Sequence, residues 1–188
     1  MNEKPLYLPV LLGTTRQGRR SEHVAKFLLS EMKKRPEIET ELIDPRTLKM
    51  SLADAGTEMQ DPAYAEKMAR ADGLVIVVPE YNHGYPGLLK HALDMCLDEY
   101  IHKVAAFCGV SAGPFGGARV IENLVPVARE LGLVVTSTDL NFSRVGDAFD
   151  EAGMLKEEKY VGRAAKFLNE LVWMSRVMRH GRENIAPL

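Results

Sequence analysis

Read from its amino terminus, the chain alternates short apolar runs with longer segments in which apolar residues recur every three or four positions. Leu6 to Leu12 is apolar apart from Tyr7 and Pro9 and ends at Gly13, which predicts a buried first strand. Val24, Ala25, Leu28, Leu29 and Met32 follow at helical spacing, with Ser21 placed to cap and Lys33, Lys34 and Arg35 in the last turn. A second strand is expected from Glu37 to Ile43, a polar connection over 44–61 and a short helix from Ala63 to Ala71. Leu74 to Val78 is an unbroken aliphatic run between Gly73 and Pro79, as expected of a strand covered on both faces.

Pro86 suits the first position of a helix, and Leu88, Leu89, Ala92, Leu93, Cys96 and Leu97 give that helix an apolar stripe over 86–98. Lys103 to Val110 predicts a fourth strand, followed by a glycine-rich loop, Ser111 to Gly117, and a helix from Ala118 to Leu131 kinked at Pro126. Leu133 to Thr136 begins a fifth strand, 137–153 reads as a connection, and Met154 to Met178 is a long amphipathic helix. Strands alternating with helices imply a parallel sheet with helices on both faces, in one domain over residues 1–180 with 181–188 as a loosely held tail. Such sheets bind ligands beyond the carboxyl ends of their strands. That singles out the loops 13–21, 79–87 and 111–117.

Composition narrows the partners. The 24 Lys+Arg and 26 Asp+Glu give a net charge of −2, which removes the electrostatic case for nucleic acid or an anionic membrane as partner. Cys96 and Cys108 are too few for a disulfide framework, and the opening residues lack a secretory pattern; the expected setting is the cytoplasm. The five histidines show no metal-ligand spacing, so no metal is expected.

The first loop, Gly13-Thr14-Thr15-Arg16-Gln17-Gly18-Arg19-Arg20-Ser21, joins a strand to a helix N-terminus and offers hydroxyls and three arginines. It reads either as a phosphate cradle or as a solvated cationic turn. It is not a P-loop, because Arg19-Arg20 follow Gly18 where that motif needs Lys and then Ser or Thr, and G-x-G-x-x-G is absent. The second loop, Pro79-Glu80-Tyr81-Asn82-His83-Gly84-Tyr85-Pro86-Gly87, suits a planar heteroaromatic ligand or a plain cover for the sheet end. In the third, Gly109-Val110-Ser111-Ala112-Gly113 satisfies G-x-S-x-G after a strand, so a serine esterase built on Ser111 is a rival. Pro114, Gly116 and Gly117 are poor openers for the helix an elbow requires, which favours a loop whose glycines approach a flat ligand.

In this order, the three loops resemble the NADPH-dependent FMN reductase family of the flavodoxin-like fold. Pro79-Glu80-Tyr81-Asn82 followed by Pro86-Gly87-Leu88-Leu89-Lys90 matches its signature turn and helix, and Gly13, Thr14, Arg16, Ser21 and His23 match its phosphate loop with two residues inserted. The resemblance implies a three-layer α/β/α sandwich with a five-stranded parallel sheet and a noncovalent FMN. Its phosphate would sit at Thr14, Arg16, Ser21 and His23. Its ring would lie between Pro79, Glu80, Tyr81, Asn82, His83 and Gly84 on one side and Ser111, Ala112, Gly113 and Gly116 on the other. NADPH or NADH would deliver hydride and a small-molecule acceptor would take it in ping-pong order, the acceptor being flavin, quinone, azo compound or metal oxyanion. No catalytic side chain is then required. The resemblance also implies a homodimer or homotetramer built on helix 86–98 and the helix after Gly117. An electron carrier or flavin-binding module without nicotinamide turnover is the alternative, against which the small net charge argues mildly.

Overall fold

A computed structural model of the chain describes residues 4–52 and 58–185; the expected tail's last residues and Gly56 of the 44–61 connection lie outside these. The first apolar run splits in two. Leu6–Tyr7 (β1) pairs with Ile38–Glu39 (β3), while Val10–Leu12 (β2) lies between Leu42–Ile43 (β4) and Gly73–Pro79 (β5). The break falls at Pro9, which has no amide hydrogen to donate, although its carbonyl still accepts from Val75 N at 3.0 Å. On the opposite side the amides of Leu6, Leu8 and Val10 reach the carbonyls of Glu37, Glu39 and Glu41, so both halves keep one register.

Val104–Val110 (β6) pairs with β5 along all seven residues. Its far edge receives two short segments in tandem, Val134–Val135 (β7) and Leu140–Phe142 (β8). Among the described residues every pairing between these strands is parallel, and the five strand positions run second, first, third, fourth, fifth, the flavodoxin-like order. β8 falls inside 137–153, where a connection was expected. Its two buried residues flank Asn141, too short an alternation to stand out in sequence.

The apolar run of β5 is buried on both sides, as its composition requires. Val75 and Val77 face one layer, with Val24 and Leu28 of Ser21–Lys33 (α1) and Phe167 and Leu171 of the last helix. Leu74, Ile76 and Val78 face the other, formed by Pro62–Arg70 (α2), Gly87–Asp94 (α3) and Ala118–Glu130 (α4). The chain is thus a three-layer α/β/α sandwich. Three helices differ from expectation at their ends. Ser21 is the first residue of α1 and caps nothing. Pro86 is extended (φ −62°, ψ 138°), and α3 ends at Asp94, so Cys96 and Leu97 lie beyond it. After the short Val145–Ala148 (α5), the last helix, α6, starts at Lys159 and runs to Asn184. Residues 181–184, expected as tail, therefore continue the helix. Arg179 and Arg182 hold that end through ion pairs with Asp72, and Arg182 also donates to the His102 carbonyl at 2.7 Å.

Asp139, just before β8, gives a pH signature. Burial, reinforced by Glu122 and Glu170, pushes its pKa up to about 6. The folded chain therefore binds this proton more tightly than the unfolded one, a contribution present below pH ~4 and lost as pH rises through about 6. Asp139→Asn should gain about 1 kcal/mol at pH 7, the carboxyl being partly solvated, and nothing at pH 4. Urea unfolding at the two pH values checks this.

Candidate active site

β2, β5 and β6 all end on the same side of the sheet, and there the first loop, the residues after Pro79 and the residues after Val110 converge. Arg16 to Ser21, Pro79 to Tyr81, Val110 to Ala112 and Val145 line a groove of about 360 Å³. A cleft of about 440 Å³ at the opposite, amino end of the strands is built around Asp72, whose carboxylate is held by Arg179 and Arg182. Ligands of doubly wound sheets bind at carboxyl ends, and the groove is the candidate site.

The first loop is held from below. Arg19 is buried and makes a bidentate ion pair with Asp44, a 2.5 Å hydrogen bond to the Thr14 carbonyl and a 3.3 Å contact with Glu22. Burial disfavours the Asp44 carboxylate, but the Arg19 hydrogen bonds, the Arg46 amide and the charges of both arginines together outweigh it and hold its pKa below the ordinary aspartate value. From the turn after Asp44, Arg46 donates to the Thr15 and Arg16 carbonyls at 3.0 and 2.8 Å. Asp44 and Arg46 shape the loop yet escape sequence reading, since nothing in spacing connects residues so far apart. Thr14 is buried; its hydroxyl accepts from Arg16 N at 3.2 Å and lies 3.2 Å from the Tyr81 hydroxyl. Arg16 lies over the Tyr81 ring, 5.8 Å from its centroid. Arg19 is thus committed to the fold, while Arg16 and Arg20 remain exposed.

Ser21 stands on the groove at the start of α1, 2% exposed, and its hydroxyl finds no partner. A helix N-terminus leaves its first amides unsatisfied and carries positive partial charge. Here Glu22 N and His23 N turn back to the Arg19 and Arg20 carbonyls at 3.3 and 3.1 Å, so what the helix start offers an anion is its dipole and the unused Ser21 hydroxyl. His23, two residues on, does not join. Its ring lies 5.8 Å from that of Phe149, and with Glu22 and Glu151 it lines an adjoining cavity.

The second loop forms a tight hairpin, with Tyr81 and Gly84 exchanging backbone hydrogen bonds at 2.9 Å. Asn82 and His83 at its tip both have positive φ (50° and 68°), the pattern of a type I′ turn. Neither belongs to the groove lining, and Asn123 of α4 ties the hairpin down through the His83 carbonyl at 2.7 Å. Glu80 meets the groove with a side chain only 5% exposed. One carboxylate oxygen is paired with Arg119, and the other is buried without a partner.

The third loop disposes of the esterase reading. The Ser111 hydroxyl donates to the Gly113 carbonyl and accepts from Gly116 N, both at 2.9 Å, so it is occupied in holding its own loop. The helix starts only at Ala118. Ser111 and Ala112 line the groove, whereas Gly116 is buried in the fold of the loop. A Cβ at Gly113 would meet nothing within 4 Å, so that position opens onto free space.

The residues fit a phosphorylated aromatic ligand: anion donors and an unpaired hydroxyl at one end, Tyr81, Pro79 and the Ser111–Ala112 backbone at the other. Among the described residues no cluster of His, Cys, Asp or Glu could hold a metal ion, and no helix is long and apolar enough to cross a membrane.

Comparison with known proteins agrees with this geometry. The family described as NADPH-dependent FMN reductase matches residues 8–147. An NAD(P)H-dependent FMN reductase of Schizosaccharomyces pombe is 31% identical over 139 residues, 69% of this chain and 68% of that protein. An NADPH azoreductase of a Bacillus species is 30% identical over 122 residues, covering 62% of this chain and 65% of the relative. Among solved structures, the NAD(P)H:(acceptor) oxidoreductase FerB of Paracoccus denitrificans superimposes with a TM-score of 0.73 at 22% identity, over 88% of this chain and 97% of that one; it bears on the fold.

Proposed function

The chain belongs to the NADPH-dependent FMN reductase family and is an FMN-dependent NAD(P)H oxidoreductase, and from that premise we propose that the groove holds FMN with its phosphate on the first loop and its ring toward Tyr81 and Ala112. The observation that carries this placement is the Ser21 hydroxyl, buried and unpartnered at a helix N-terminus inside the groove. FMN, when bound, supplies the hydride-accepting and hydride-donating chemistry. The chain binds and orients. Thr14, Arg16 and Ser21, at the positive end of α1, receive the phosphate, while Arg19, Asp44 and Arg46 fix the loop that presents them. Pro79, Tyr81, Ser111 and Ala112 wall the ring slot, and Asn82, His83, Gly84 and Gly116 brace the loops behind it, while His23 lies apart beside Phe149.

The acceptors are small oxidants: flavins, quinones, azo compounds, as the Bacillus relative's name supports, or metal oxyanions. Donor and acceptor take turns at the groove in a ping-pong order. Exposed Leu88 on α3 and Val125 on α4 support a homodimer or homotetramer built on those helices, and the buried free thiols Cys96 and Cys108 suit a reducing cytoplasm. Residues 1–180 serve as the FMN-binding domain.

Titration of apoprotein with FMN, followed by flavin fluorescence, tests the placement. Arg16→Ala should weaken FMN binding by about 1.5 to 3 kcal/mol, the worth of a hydrogen bond to a charged group, while riboflavin, which lacks the phosphate, should bind both proteins alike. Equal FMN affinities would remove Arg16 from the phosphate site.

A further inference from the structure

Arg144, beside the groove, combines a left-handed backbone with a side chain that no other described residue engages. It follows β8 with φ 44° and ψ 50°, a left-handed backbone that disfavours long side chains by about 1 kcal/mol or more and that glycine or asparagine would adopt freely. The backbone is pinned there: Arg144 N donates to the Gly113 carbonyl at 2.9 Å, Val145 N to the Ser111 carbonyl at 3.1 Å, and Asp147 N to the Arg144 carbonyl at 2.8 Å. The residue therefore travels with the third loop, and its neighbour Val145 lines the groove. Its side chain is exposed, and its guanidinium makes no hydrogen bond or ion pair, unlike Arg19, Arg46 and Arg119 around the same site.

We propose that Arg144 is a specificity-determining residue of this reductase: it receives the 2′-phosphate on the adenosine ribose of NADPH and so sets the preference for NADPH over NADH. This rests on the NAD(P)H-dependent activity of the site. A reductase of this kind meets two phosphorylated ligands. The first loop, with Ser21 and Arg16, is placed for the phosphate of FMN, while Arg144, bonded to the third loop and next in sequence to the groove-lining Val145, holds an exposed side chain beside the groove. A guanidinium is suited to a phosphomonoester because its forked donors match two phosphate oxygens, and an arginine near the donor site is a known way to accommodate a ribose 2′-phosphate. The structure excludes Arg19 from that task, since its guanidinium is spent on Asp44 and Thr14.

The test compares 2′,5′-ADP with 5′-ADP by calorimetric titration, on the FMN-loaded protein and on the apoprotein. Alongside it, kcat/KM is measured for NADPH and for NADH. Wild type should prefer 2′,5′-ADP by about tenfold, one charge-assisted hydrogen bond's worth. Arg144→Gln and Arg144→Gly should abolish that preference by raising KM for NADPH alone. The glycine variant suits the left-handed backbone, so loss of fold does not confound it. Arg144→Lys should keep part of the preference. The proposal is overturned if wild type shows no 2′-phosphate preference, if the neutral variants retain it, if Arg20→Ala abolishes it instead, or if the Arg144 variants lose FMN. A wild type that binds 2′,5′-ADP selectively yet takes up no FMN would leave Arg144 standing and overturn the FMN reading.

Discussion

Asp44→Ala is expected to cost about 3 kcal/mol of stability, because it leaves the Arg19 guanidinium buried without its bidentate partner, and removing one member of a buried pair costs more than the pair contributes. Glu22 and the Thr14 carbonyl stay in reach of Arg19 but do not replace a carboxylate that meets both its terminal nitrogens. The loss is local as well as global. Arg19 fixes Thr14, and Asp44 opens the turn from which Arg46 grips residues 15 and 16, so one substitution releases the phosphate loop at both ends. FMN affinity should fall with stability, by at least tenfold, whereas Arg16→Ala should lower affinity and leave the urea midpoint in place. Equal midpoints for Asp44→Ala and wild type would mean that Arg19 is not held as described.

The glycines of the third loop should divide sharply. A Cβ at Gly117, where φ is +79°, would come within 2.6 Å of Val110 N, and one at Gly109 would sit 2.6 Å from the Gly116 carbonyl oxygen. The contacts are backbone on backbone and cannot rotate away. Gly117→Ala should therefore lose about 3 kcal/mol, from left-handed strain added to steric displacement. Gly113→Val should behave oppositely. Its side chain meets no protein atom, so stability should stay within about 0.5 kcal/mol of wild type, while the branched side chain invades the space assigned to the flavin ring. A stable protein purified without flavin is the expected outcome. Normal flavin absorbance in that variant would move the ring away from this loop.

What could be read from sequence followed from how each feature is encoded. The aliphatic run of β5 and the 3.6-residue stripe of α1 each record their burial in consecutive residues, and both emerge close to their expected limits. The three loops were legible for the same reason, since strand order and turn residues place them at one end of the sheet. What was hidden depends on single atoms or distant partners. The missing amide of Pro9 divides the first strand, and the two buried residues of β8 are too few to show a period. Arg19 reads as one of three loop arginines, in a phosphate cradle or a solvated turn, until Asp44, 25 positions away, is found beneath it. Ser21 reads as a cap because its type and place are right, yet its hydroxyl is left for the groove. His23 follows the family pattern in sequence, but the helix turns it toward Phe149.

The tandem division of the fifth strand has a bearing on solubility. An edge strand exposes a row of unused amides and carbonyls, a template on which another chain can add itself. Here the outer edge offers two residues at β7, then the detour from Thr136 to Asp139, pinned where Ser137 donates to Glu170 at 2.8 Å, and then three residues at β8. Neither stretch is long enough to template a stable added strand. The interruption that conceals β8 from the sequence reader thus also protects the sheet from growing by accretion of its own copies.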